Sequence, residues 1–81
     1  MNPLERTTER RWAKKWTLQG YIVVKMGRGG FPDDLILMGG ARHFWAEFKT
    51  SYGRLTAAQK RRIPRLEAIG EVVRIITEET L

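Results

Sequence analysis

The hydrophobic positions of this chain switch between a helical and an alternating period, and the switches predict six elements. From Pro3 to residue 19 there is no internal glycine or proline, which predicts a helix ending before Gly20. Glu5, Glu9, Trp12 and Trp16 recur at helical spacing and share one stripe, while Arg6, Arg10, Arg11, Lys14 and Lys15 lie largely off it. YIVVK, residues 21–25, is a β-branched and aromatic run that predicts a strand. The glycine-rich MGRGGF follows as a loop, with neither phosphate-loop nor dinucleotide-fingerprint spacing. LILM and HFWAEFK predict a hairpin around Gly39 and Gly40. After a turn at TSYGRL, Thr56 is the expected N-cap of a helix from Ala57 to Ile69 that Gly70 closes. Pro64 falls inside that helix and is expected to kink or split it. VVRII predicts a last strand. The order helix, three strands, helix, strand reads as one α/β domain over residues 1–81 with a small mixed sheet.

Composition narrows the partners more than the fold. A formal charge of +6 on 81 residues points to phosphate polyanions, since each neutralised phosphate releases condensed counterions. With no cysteine and one histidine, His43, disulfides, thiolate zinc sites and multi-histidine metal centres are excluded. There is no apolar run long enough to span a bilayer, and the polar MNPLERTTERR start is unlike a secretory signal, so an intracellular, cytoplasmic protein is expected, with no membrane partner.

The hairpin carries charge where a core strand would not. Asp33 and Asp34 sit at its entrance, and Glu47 and Lys49 project from one face near its end. A three-residue loop, Gly39 to Ala41, would set Asp33 opposite Glu47, and a four-residue loop would set Asp34 there; sequence leaves that register open. Either way two carboxylates and an ammonium converge at one end of the sheet. Carboxylate oxygens are what a hard ion such as magnesium prefers, with water and substrate phosphate completing its shell. Lys49 would offset charge developing on a phosphate. The competing reading is a sheet edge laced with salt bridges that discourage aggregation.

GGFPDDLIL, then FWAEFK, then GRLTAAQ resembles the PD-(D/E)XK nucleases, and within them the VRR-NUC family, the virus-type replication–repair nucleases. The resemblance runs from about Glu5 to Ile76 and implies a restriction-endonuclease-like core. It implies Asp33 and Glu47 as ligands of Mg2+ or Mn2+, with the backbone carbonyl of Phe48 beside them. Lys49 would position or polarise the attacking water, and Gln59 would support the site. The family's first helix supplies a glutamate, a role that Glu5 or Glu9 could fill, with Glu5 favoured for its distance from Gly20. Lys25 matches a basic position near the site. Asp34 departs from the family pattern, which has a neutral or basic residue there, and reads either as a neighbour facing solvent or as an alternative ligand. The implied activity is a metal-dependent endonuclease acting on branched DNA such as four-way junctions, as a homodimer whose two sites cut two strands.

For nucleic-acid contact the candidates are Arg10 and Lys14, with Arg11 and Lys15, on the first helix, Lys25 and Arg28 around the glycine loop, and Arg54, Lys60, Arg61 and Arg62 at the second helix. As a set they suit reading of backbone and shape rather than sequence. A non-catalytic DNA-binding module, and a protein whose tryptophan-bearing helix docks a partner, are the two alternatives.

Overall fold

The first helix, α1 (Pro3–Leu18), starts where the Asn2 side-chain oxygen accepts the Glu5 N–H at 2.9 Å. Pro3 takes the first helical position, where a missing N–H forfeits no helical bond. Gly20, at φ +89°, ends it: Gly20 and Tyr21 turn their N–H groups back to the Thr17 and Trp16 carbonyls. The structure, a computed structural model, describes residues 1–80. Its remaining elements are β1 (Ile22–Lys25), β2 (Asp34–Gly39), β3 (Arg42–Phe48), α2 (Ala57–Ala68) and β4 (Val73–Ile76).

These form a small α/β domain with two helices and a four-stranded mixed sheet in the order β1-β2-β3-β4. The first three strands are antiparallel, and β4 lies parallel to β3 because α2 carries the chain back across. The hairpin register follows the tight turn. Leu37 pairs with His43 and Asp34 with Ala46, while the register shifts between Leu37 and Gly39. Gly39, Gly40 and Ala41 all have positive φ, so the bulge and turn use left-handed backbone that glycine adopts without strain. Continued by one residue, the pairing sets Asp33 beside Glu47 and sends Asp34 to the opposite face.

That face packs on α1. Ile36, Phe44, Ala46, Phe48 and Ile76 are buried with Trp16, and the Trp16 ring lies 5.5 Å from Phe44 and 6.2 Å from Phe48 between centroids. The tryptophan stripe of α1 is thus the helix's core face, as its spacing predicts. On the other face Phe31 stacks on Trp45 at 5.5 Å, and α2 buries Ile63 and Leu66. Pro64 does not split the helix, one of the two outcomes expected of it: α2 runs as one α-helix through it. Proline there removes a single bond to the Lys60 carbonyl. Burial of Ile63 and Leu66 on either side of Pro64 holds the helical path.

Candidate metal and phosphodiester site

The carboxylates meet where β2 begins and β3 ends. The Asp33 N–H donates to Glu47 Oε1 at 3.2 Å, and Asp33 Oδ2 accepts the Phe48 N–H at 2.8 Å. Glu47 is 1% exposed, so its charge is taken out of water. Its Oε2 accepts from Gln59 Nε2 at 2.9 Å and lies 3.4 Å from Lys49 Nζ. Burial, then repulsion from Asp33, push the Glu47 carboxyl up to about 7 against the opposing pull of Lys49 and Gln59. Asp33 is also raised, by burial first, against the lowering effect of the Phe48 N–H.

Gln59 is held by the helix start itself. Thr56 Oγ1 accepts the Gln59 N–H at 3.1 Å, and Gln59 Oε1 accepts the Thr56 N–H at 2.9 Å, a reciprocal capping box. With its oxygen so engaged, the amide can only present its NH2 to Glu47. Thr56→Ala should therefore lower stability by about 1 kcal/mol, read from the urea midpoint.

Beside this cluster, on the α1 face, lies a second group of charges. Asp34 is fully buried opposite Lys25 and Ala46, and among the described residues neither of its carboxyl oxygens has a hydrogen-bond partner; Glu9 is 3% exposed and its Oε2 is likewise unpartnered there. Glu9 Oε1 accepts from Lys25 Nζ at 2.7 Å. Burial first, then Glu9, push the Asp34 carboxyl up to about 8. Protonation of Asp34 relieves the cost of burying its charge beside Glu9. Since the folded value lies above the ordinary 3.8, the stability from that proton is complete at low pH and is lost as pH rises towards about 8. Asp34→Asn supplies a permanent donor. It should flatten the fall in stability between pH 5 and pH 8 and raise stability at pH 8 by about 1–3 kcal/mol, measured by urea unfolding in EDTA.

The sequence candidates divide accordingly. Asp33, Glu47, Lys49 and Gln59 converge, with Phe48 between Glu47 and Lys49 at the end of β3. Glu5 is half-buried at the rim, where its Oε2 accepts the Thr50 N–H at 3.3 Å, while Glu9 lies deeper; both repel Asp33. Lys25 is 75% exposed along its side chain but its ammonium is committed to Glu9, so it is less available for phosphate than its position in the sequence suggests. Arg10, Lys14, Arg28, Arg54 and Lys60 are all exposed. The Glu9–Asp34–Lys25 group was not legible as a unit: Asp34 falls beside Lys25 only once the register of β1 on β2 is known. His43 pairs with Glu71 at 2.9 Å, and Trp45 Nε1 donates to the same carboxylate at 2.7 Å.

Among the described residues no three histidine, cysteine or acidic side chains converge as a ready-made metal cage. A hard ion held by one or two carboxylates needs no such cage. The donor set fits one: Asp33 Oδ1 accepts no hydrogen bond among the described residues, and both carboxyls carry an electrostatic penalty that a cation would relieve. No helix among them is long and apolar enough to cross a membrane. Comparison with protein-family models, with curated proteins and with solved structures finds no match to this chain.

Proposed function

We propose that the protein is a metal-dependent nuclease of the VRR-NUC type, built on a PD-(D/E)XK core, that hydrolyses phosphodiester bonds in branched DNA such as four-way junctions and works as a homodimer. One observation carries this reading: the buried Glu47 and the half-buried Asp33, both raised in pKa, sit side by side with Lys49 at one end of the sheet. When bound, Mg2+ or Mn2+ supplies Lewis-acid stabilisation of phosphate charge and an acidified water. Asp33, fixed by the Phe48 N–H, and Glu47, fixed by Gln59, are the residues that would hold the ion, together with the Phe48 carbonyl. The Lys49 ammonium, only 14% exposed along its side chain, acts at short range on charge developing at the phosphorus oxygens. The net charge of +6 supports DNA as the polyanion.

The test is cleavage of labelled four-way junction, flap and linear duplex DNA in magnesium, manganese or EDTA, with sedimentation to measure the oligomer. Metal-dependent cutting with junction preferred over linear duplex supports the reading, and cutting that persists in EDTA contradicts it. A second reading, a DNA-binding module without catalysis, is favoured by Glu47, both of whose oxygens accept bonds from the protein's own donors. It predicts saturable DNA binding, indifferent to metal, with no strand broken.

A further inference from the structure

Three arginines on α2 gather in a manner that nothing else in the fold answers. Arg61, Arg62 and Arg65 line a surface cleft of about 140 Å³ whose wall is completed by Gly29 and Ala58. None of the three is in an ion pair among the described residues. Like charges one turn apart on a helix, as Arg61 and Arg65 are, destabilise it. Arg62 is held in place at two points: its Nε donates to the Gly29 carbonyl at 3.2 Å, and its guanidinium lies 4.6 Å from the Phe31 ring centre. Among the described residues its terminal N–H groups have no hydrogen-bond partner. The loop is pressed onto the helix as well, since a Cβ at Gly30 would lie 2.4 Å from the Ala58 carbonyl oxygen.

We propose that Arg61, Arg62 and Arg65 form a seat for a backbone phosphate of nucleic acid. This rests on the nucleic-acid part of the proposed function and not on catalysis. A fixed fork of guanidinium N–H donors is suited to phosphate oxygens. A polyanion is favoured over a lone phosphate because the cleft does not stand alone. Gly29 also walls a neighbouring depression lined by Lys25 and Arg28. The same loop reaches the carboxylates, since a Cβ at Gly27 would come within 3.9 Å of Asp33 Oδ1. Arg28 and the three α2 arginines thus flank Gly29, on the loop that leads to the carboxylate cluster.

The experiment is anisotropy of a labelled DNA duplex in EDTA across a salt series, comparing wild type with Arg61→Gln/Arg65→Gln; Arg62 stays because it also holds Gly29 and Phe31. With an unchanged thermal midpoint, the variant should bind roughly tenfold more weakly at low salt, and its log K against log salt slope should be shallower by about 1. Equal affinity and slope in the two proteins overturn the proposal, even if wild type cuts DNA. Arginine-dependent binding by a protein that cuts nothing upholds the seat and contradicts only the nuclease reading. In a second arm, the Arg62 Nε–H resonance should shift on adding duplex. A shift with inorganic phosphate at matched ionic strength but none with duplex assigns the cleft to free phosphate and overturns the proposal.

Discussion

Glu47→Gln is expected to slow metal-dependent DNA cleavage by about 10³-fold or more, while duplex affinity in EDTA stays within about threefold. Glutamine has the same shape and can still accept the Asp33 N–H through its oxygen. It loses the charge that would hold a cation, and its NH2 would face Gln59 Nε2 and Lys49 Nζ, both of them donors. Loss of the charge should not unfold the chain, because burial already works against the ionised form. The check is single-turnover cleavage of a junction beside a thermal melt. A variant that melts like wild type and cuts at the wild-type rate would remove Glu47 from the chemistry.

Gly30→Ala should be the most damaging single change to the fold outside the core, lowering stability by about 2–4 kcal/mol and the melting midpoint by roughly 10–20 °C. Two effects add. Gly30 has φ +79°, a left-handed conformation that alanine adopts at a cost. The new methyl would also overlap the Ala58 carbonyl, which is backbone in the first turn of α2 and cannot swing aside as a side chain can. Relief requires moving the glycine loop off the helix. Asp33 would move with that loop, because Met26 and Gly27 N–H groups bond the Asp33 and Pro32 carbonyls. Gly29→Ala is the useful comparison, since a Cβ there meets nothing within 4 Å and only the backbone strain remains. If the two alanine variants melt together, close approach of the loop to α2 is not what Gly30 provides.

Much of the architecture could be read from local pattern. The stripe of Glu5, Glu9, Trp12 and Trp16 gave α1 and its buried face, and Thr56 marked the start of α2. What pattern could not give depended on three-dimensional pairing. Whether Asp33 or Asp34 stands by Glu47 is decided by one residue at the Gly39 bulge, and a shift of one position exchanges the faces of the sheet. The pairing of Glu9 with Lys25 joins residues on α1 and β1 whose meeting depends on how the helix lies across the sheet. A split at Pro64 did not follow because burial of Ile63 and Leu66 outweighs one missing bond. Lys49 and Glu47 were visible as neighbours on one face, but their enclosure was not. Burial raises the Asp33 and Glu47 carboxyls, and the proposed function makes that pair the seat of a metal ion.

The most direct test of that claim is titration of Mn2+ into the protein without DNA, followed by paramagnetic broadening of assigned amide resonances, in wild type and in Asp33→Asn. The account predicts saturable broadening centred on Asp33, Glu47 and Phe48 that the variant loses. Uniform weak broadening over the surface, equal in the two proteins, would contradict it.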